Sequence, residues 1–369
     1  MTSHVRTSRS GLLIGTVAAL AIVLAACGSS SKSSSSTGTT TAGGGGSSGG
    51  KATLSGSGST FQQVFQQVCI QGFQGANSNI TVNYKGVGSG QGKTDLSTKD
   101  VDFAGSDSTI KESTLSTFQG GKVLYFPIAS APITVSYNVS GLDKLQLSGP
   151  TLAKMFNQKI KTWNDPAIAA DNPGAKLPST NIVVARRADK SGTTHNFTNF
   201  LSKAGNGNWT YPPDDAWPQA DQAGTQAGQG NSGVAQIVKQ TDGAVGYVDY
   251  SDAVQSGLNT ASVKNAAGNY VAPSIEGAQA AVDGTTVKPD LTYDPINAAG
   301  AQAYPITSPT WILVYEKQTD KAKGDALKTY LTFVLNDCQA LAKDAKYAAL
   351  PDSLKQKAIA QLDQLQIPA

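Results

Sequence analysis

From about Lys51 onward the chain alternates short apolar runs with stretches in which apolar residues recur every three or four positions. Ala52-Thr53-Leu54 leads into a Gly/Ser turn and then an expected helix over about Thr60–Phe73, its apolar stripe marked by Phe61, Val64, Phe65 and Val68. Ile80, Val82 and Tyr84 alternate with polar neighbours, the period of a half-buried strand. A short helix over Gln91–Thr98 and a buried strand over Val101–Gly105 follow. Val123–Phe126, Ile133–Tyr137, Ile182–Ala185, Gly246–Val248 and Trp311–Tyr315 read as further strands. Leu152–Phe156, the segment carrying Phe197, Phe200 and Leu201, and most of Lys323–Leu365 read as helix. Strand-turn-helix alternation of this kind predicts an α/β fold with sheets covered on both faces.

The first fifty residues have a different pattern. Arg6 and Arg9 precede a run from Gly11 to Ala26 that is apolar or small except for Thr16. That is short for a membrane-spanning helix of about 20 residues and fits the apolar region of an export signal over residues 1–26. The run ends Leu24-Ala25-Ala26-Cys27, which resembles a bacterial lipobox, so Cys27 is the expected acylation site; an ordinary secretory signal with a coincidental Cys is the alternative. Residues 27–50 continue almost wholly as Ser, Gly and Thr, too polar to bury a core, and are expected to act as a flexible tether. Export implies an oxidising compartment. Cys69 and Cys338, the remaining cysteines, lie in helix-periodic stretches, and either a disulfide or two separate buried thiols fits that placement.

Composition then narrows the function. Of 369 residues, 39% are hydrophobic and 15% charged, with Lys+Arg 29 against Asp+Glu 26. Losing Arg6 and Arg9 with the signal leaves 27 basic against 26 acidic residues, a net of +1. No basic surplus calls for nucleic acid as a partner. Two histidines and three cysteines exclude a multi-histidine metal centre or a four-cysteine zinc site, and no metal ligand cluster with suitable spacing occurs. With His4 in the signal, a Ser-His-Asp triad would depend on His195, and no G-x-S-x-G elbow is present. His195 is expected to have a surface or packing role.

Three Gly/Ser turns follow expected strands and open expected helices: Ser55–Phe61, Gly86–Thr94 and Arg186–Thr194. Helix starts offer unpaired backbone N–H groups and a partial positive charge, Gly lets the backbone come close, and Ser and Thr add hydroxyls. Each turn alone is an ordinary capped helix; three together, one carrying an arginine, suggest a single oxyanion held by several helix ends. Gly92-Lys93-Thr94 looks like the end of a nucleotide-binding P-loop, but Val87 stands where its first Gly is required. Asp107 and Asp189 repel a fully ionised anion, yet a carboxylate suits a ligand that brings a proton of its own. Alternatively Asp189 orients Arg187 through a salt bridge, and Asp107 caps a helix from Ser108 onward.

At these residues, and over nearly all of Lys51–Ala369, the chain resembles the substrate-binding proteins of bacterial phosphate ABC transporters, the PstS family. The resemblance extends through Val101-Asp102-Phe103-Ala104-Gly105-Ser106-Asp107, Lys159–Asp165, Gly243–Tyr250, Tyr304–Ser308 and Leu350–Leu354, and its most specific element is Arg186-Arg187-Ala188-Asp189-x-Ser191-Gly192-Thr193. It implies a two-lobed periplasmic-binding-protein fold of type II, each lobe a mixed sheet flanked by helices, with a two-strand hinge. Lobe I would comprise 51–129 with 305–369, lobe II 130–304, and the crossings would lie near Pro127–Ser130 and Ala303–Thr307. Phosphate would meet Thr60, Phe61, Ser89 and Asp107 from one lobe and Arg187, Ser191, Gly192 and Thr193 from the other. Ser59 and Asp189 would play supporting parts, without metal or cofactor. Ser59 and Gln62 stand where the family often has Ala and Pro, and Gln91 and Gly92 extend the second turn. The same-lobe placement of Cys69 and Cys338 favours their bridging. By the same resemblance the protein is not an enzyme: it delivers inorganic phosphate to membrane permease subunits served by a cytoplasmic ATPase, anchored through Cys27 at the extracytoplasmic membrane face (the periplasm, if there is an outer membrane). Another tetrahedral oxyanion such as sulfate or molybdate, or a secreted phosphatase or hydrolase, is the alternative.

Overall fold

The computed structural model describes residues 51–369. The expected export signal over 1–26, the expected acylation site Cys27 and the expected tether over 27–50 lie outside the described residues.

The chain opens with β1 (Ala52–Gly58), α1 (Gln63–Ala76), β2 (Ile80–Gly86), α2 (Ser89–Ser97) and β3 (Phe103–Ser106). The three strands run parallel, with β1 between the others, as βαβ crossovers require. Leu54 on β1 and Ile80 and Val82 on β2 point inward, as their alternation predicts. The helix α1 buries Phe65, Cys69 and Phe73, spaced four apart on one stripe.

Next comes β4 (Val123–Asn138), a 16-residue strand with every interior position buried. Beyond it lie β5 (Gln146–Leu147), α3 (Gly149–Phe156), α4 (Pro166–Asp171), β6 (Val183–Arg187), α5 (Gly192–Ala204), β7 (Thr225–Gly228), α6 (Gly230–Gln240), β8 (Ala244–Asp249) and α7 (Tyr250–Ser256). The strands β9 (Asn259–Thr260), β10 (Ser262–Lys264) and β11 (Tyr270–Val271), with α8 (Ile275–Asp283), precede β12 (Thr307–Tyr315), α9 (Lys321–Leu335) and α10 (Asp352–Gln361).

The main sheet has nine strands in the order β2-β1-β3-β12-β4-β8-β6-β7, with β9 also on β4; β11-β10-β5 form a small separate sheet. Strand β12 lies antiparallel between β3 and β4. Strand β4 pairs with β12 from Val123 to Pro132, then with β8 from Ile133 to Asn138. It is thus the one strand shared by the two halves of the sheet. The change of partner falls at Pro132/Ile133 and, on the other chain segment, at Thr307. Two strands were expected where β4 is one. Pro127 and Pro132 suggest interruptions, but a Pro breaks only its own ladder hydrogen bond. A register shift opposite Thr310/Trp311 absorbs the irregularity.

Helices cover both halves. In the first, α9 packs on β1 and α1 on β2; in the second, α6 packs on β6, β7 and β8. A disulfide joins Cys69 of α1 to Cys338, which sits in a 3-10 turn just after α9. Of the two readings of these cysteines, the bridged one is found. The C-terminal stretch is mostly helical, as expected; between α9 and α10 the chain runs through that turn and an irregular segment to Pro351. By contact, residues 51–369 belong to one compact unit, not two separable ones. Among the described residues no helix is long and apolar enough to cross a membrane.

Candidate functional site

The three Gly/Ser turns converge where the two halves of the sheet face each other. Each follows a parallel strand and opens a helix, as the sequence predicts: β1 to α1, β2 to α2, β6 to α5. Helix α2 begins two residues before the expected Gln91, at Ser89, after Gly88 adopts φ +94°. Glycine is required there for space as well as conformation, since a Cβ would stand 2.3 Å from Asp189 Oδ2 across the cleft. Gly192 meets the same restriction from the other side, because a Cβ would lie 2.8 Å from both Asp107 Cβ and Ser89 Oγ. The two glycines let the facing loops come within van der Waals contact.

Asp107 is the centre of the first half's contribution. It is 1% exposed and accepts three hydroxyl bonds, from Ser59 Oγ at 2.6 Å, Ser89 Oγ at 3.2 Å and Thr310 Oγ1 at 2.6 Å. Burial pushes its carboxyl up to about 6; the three hydroxyls and the positive charge of Arg187 pull the other way and limit the rise. No helix starts at Ser108, so the expectation that Asp107 caps one is corrected. Its side chain is taken up by hydroxyls from three separate segments.

Ser59 deserves its place for a second reason: besides donating to Asp107, its Oγ accepts the N–H of Phe61 at 3.0 Å and of Gln62 at 3.4 Å, fixing the entry to α1. The Phe61 amide is therefore engaged within its own turn. The Phe61 ring is fully buried, edge-on to Tyr347, whose hydroxyl donates to the Phe61 carbonyl.

On the facing half, Arg187 is 1% exposed and grips Asp189 with both arms of its guanidinium, Nε to Oδ1 at 2.8 Å and Nη2 to Oδ2. Burial alone raises the Asp189 carboxyl, but Arg187 outweighs it and holds the group below its ordinary value. The salt-bridge reading of Asp189 is what the geometry displays. The backbone N–H of Arg187 is in turn held by Tyr247 Oη at 3.0 Å. Ser191 caps α5, its Oγ accepting from the N–H of Thr193 at 3.1 Å and Thr194 at 3.4 Å. A serine hydroxyl that accepts twice retains its proton for donation.

Two groups at this junction escaped the sequence reading. Thr310 arrives on β12, far along the chain. Asn231 is the second residue of α6, fully buried, with Nδ2 3.2 Å from Thr60 Oγ1 and 3.3 Å from Thr193 Oγ1. A signal for it existed: Gly228-Gln229-Gly230-Asn231-Ser232-Gly233 is a fourth glycine turn between a strand and a helix. Gly230 N–H, at the same turn, donates to Asp189 Oδ1 at 3.1 Å.

A polar latch closes one edge of the junction. Lys93 Nζ stands 2.7 Å from Asp215 Oδ2 and 2.9 Å from Ser108 Oγ, and Ser108 Oγ donates to Asp215 Oδ1 at 2.7 Å. Burial raises the Asp215 carboxyl, but the charge of Lys93 and its hydrogen bond carry it below its ordinary value. The lysine that mimics a P-loop is thus committed to a carboxylate. The Asp215 carbonyl also accepts the Ser191 N–H at 2.9 Å. Beside the latch, Lys111 pairs with Asp214 at 2.5 Å, and Asn196 Nδ2 donates to the Asp107 carbonyl at 2.6 Å. The His195 ring faces Asp215 at 3.8 Å and not the Ser191 hydroxyl. Among the described residues no group of three or more His, Cys, Asp or Glu is arranged to hold a metal ion.

Chemically, the junction brings together helix starts, hydroxyls and one guanidinium, with the Asp107 carboxylate among the hydroxyls and Asp189 paired to the guanidinium. That combination binds a compact oxyanion by hydrogen bonds and offers an acceptor for a protonated oxygen.

Known proteins share this architecture. A family model for the PBP superfamily domain matches residues 34–337. The phosphate-binding protein PstS 3 of Mycobacterium leprae is 35% identical over 318 residues, covering 84% of this chain and 85% of that protein. The phosphate-binding protein PstS of Xylella fastidiosa is 34% identical over 310 residues, 82% of each chain. The solved structure of a high affinity periplasmic phosphate-binding protein, PfluDING, bound with phosphate, superposes with a TM-score of 0.68 at 26% identity, over 84% of this chain and 93% of that one. The mixed sheet with its shared strand and flanking helices is the type II periplasmic-binding fold of those structures. By sequence and by fold, the chain belongs to the PBP superfamily, in the PstS family of phosphate-binding proteins.

Proposed function

We propose that this protein captures inorganic phosphate outside the cytoplasm and delivers it to an ABC importer, and that it performs no chemistry on the ligand. The observation that carries the reading is Asp107: a buried carboxylate surrounded by hydroxyl donors, beside the starts of α1 and α2 and facing Arg187 and the start of α5. A carboxylate has about four acceptor positions. Three are used by hydroxyls, which leaves one for a ligand O–H. Hydrogen phosphate supplies that proton; sulfate has none and meets a repelling charge.

The ligand set is Thr60, Phe61, Ser89 and Asp107 from the half containing β1–β3, and Arg187, Ser191, Gly192 and Thr193 from the half containing β6–β8. Ser59 orients Asp107, and Asp189 orients Arg187. The lobes comprise 51–129 with 305–369, and 130–304, and they close over the anion. Cys27 carries the lipid anchor, residues 27–50 tether the domain, and the closed form docks on permease subunits. No helix among the described residues crosses a membrane, in keeping with attachment by lipid.

The test is calorimetric titration of the purified protein, first stripped of bound anion. Tight phosphate binding with far weaker sulfate binding is expected, and co-purified phosphate should be visible by native mass spectrometry. Equal affinity for the two anions, or no phosphate binding, would overturn the proposal. Turnover of a chromogenic phosphate ester that is lost on Ser191→Ala would favour a hydrolase instead.

A further inference from the structure

A hydroxyl group has one proton to donate and room to accept two. At Thr60 and Thr193 both acceptor positions are already filled, and Asn231 fills one or both at each. Thr60 Oγ1 accepts from the Asn231 backbone N–H at 3.4 Å and from Nδ2 at 3.2 Å. Thr193 Oγ1 accepts from Nδ2 of the same amide at 3.3 Å and from Arg187 Nη1 at 3.4 Å. Each threonine is left with only its proton, which must be donated elsewhere.

Asn231 is 0% exposed, and its Oδ1 is buried without a hydrogen-bond partner. Nδ2 is the end of the amide that faces the two threonines. Those threonines belong to opposite halves of the fold: Thr60 lies between β1 and α1, Thr193 in the first turn of α5. One amide therefore spans the junction.

We infer that Asn231 is a positioning residue that aims the hydroxyl protons of Thr60 and Thr193 at the bound anion, and that it does so only once the two halves have met. Thr60 is oriented by a residue that reaches it only across the closed junction. Donor alignment and closure are thus one event, and a ligand too large to allow closure loses an aimed Thr60 donor as well as the fit. The inference rests on the phosphate reading above.

The test uses the whole protein and phosphate titration by calorimetry. Asn231→Ala frees the acceptor positions that the amide occupies, and affinity falls by about 10-fold. Asn231→Asp reverses the polarity: the hydroxyls donate to the new carboxylate, two donors are lost and a charge is added, so affinity falls by about 100-fold or more at pH 8. That gap relative to Asn231→Ala narrows towards pH 5, where the introduced carboxyl takes up a proton and can donate again. Thr60→Val should cost clearly less in the Asn231→Ala background than in the parent, because the threonine has already lost its aim. Additive effects of the two substitutions, or Asn231→Asp binding within about threefold of the parent at pH 8, would overturn the inference. Should Asn231→Asp fail to fold by circular dichroism, the Thr60→Val and Asn231→Ala cycle decides alone. If the parent takes up no phosphate, the phosphate reading falls; if the parent binds and the cycle is additive, only the role of Asn231 falls.

Discussion

Asp107→Asn separates the two duties of this carboxylate. The substitution keeps the shape and removes the charge. In the bound state it replaces a charge-assisted acceptor with a neutral amide, a loss of about 1.5–3 kcal/mol, or roughly 10- to 150-fold in phosphate affinity. Sulfate, which brings no proton, loses a repelling charge and should bind better. The ratio of the two affinities should therefore fall by at least about tenfold. In the unbound protein the effect has the opposite sign. Burial raises the Asp107 carboxyl from 3.8 to about 6, so the folded protein binds more protons than the unfolded chain between those values. Its contribution to stability is present below 3.8 and is lost as pH rises through 6, an effect of about 3 kcal/mol at about 1.4 kcal/mol per pH unit. Asp107→Asn should remove that slope, gaining on the parent as pH is raised from 4 to 8. Calorimetry with both anions, and denaturant unfolding across that range, give the two readouts. Retained discrimination against sulfate would refute the acceptor role. A parent-minus-variant stability difference that does not change with pH would refute the buried, protonatable carboxyl.

Other substitutions probe separate parts of the architecture. Arg187→Ala leaves Asp189 buried without its partner and removes the one guanidinium, which should weaken phosphate binding by about 2–4 kcal/mol; calorimetric affinity within a few fold of the parent would count against its role. Lys93→Met leaves Asp215 as an uncompensated buried acid only when the halves are closed, so phosphate affinity should drop by about tenfold or more. Small-angle scattering without ligand should then show a more extended particle, and an unchanged profile and affinity would dismiss the latch. Cys69 and Cys338 are 269 residues apart, so their bridge restricts the unfolded chain by about 5–6 kcal/mol on loop-closure entropy. The double change Cys69→Ala with Cys338→Ala should lower the midpoint of unfolding accordingly, and insensitivity of the parent to reductant would contradict this. His195→Ala should leave phosphate affinity within about threefold, because its ring meets Asp215 and not a proposed ligand group.

The turns were legible in the sequence because everything that makes them is local. A strand of alternating residues, a glycine at a strained or crowded position and a Ser or Thr at the helix start all sit within ten residues of one another. Arg187 and Asp189, two apart, advertised their pairing for the same reason. What could not be read was supplied by topology. Thr310 reaches Asp107 only because β12 is inserted beside β3, and Asp215 reaches Lys93 only because an irregular stretch after α5 folds back over the junction. Asn231 stood in a visible glycine turn, but only three-dimensional placement tells which of four such turns touches two threonines. The continuity of β4 was hidden by its prolines, whose effect on a ladder depends on partners the sequence does not name.

The strand order also dictates when the parts can form. The half of the sheet built from β4, β6, β7, β8 and β9 draws on residues 123–260 and can assemble from a continuous piece of chain. The other half cannot: β12, at residues 307–315, must slot between β3 and β4, and α9 must then cover β1. Pairing across some 200 residues is slow, since the loop-closure entropy precedes any reward from contact. As the polypeptide emerges from its N-terminus, β1, β2 and β3 therefore wait with an unpaired edge until the last sixth of the chain arrives. Such an edge is the natural target of a holding chaperone, and truncation anywhere before Thr307 should yield an aggregation-prone product, not a smaller binding module.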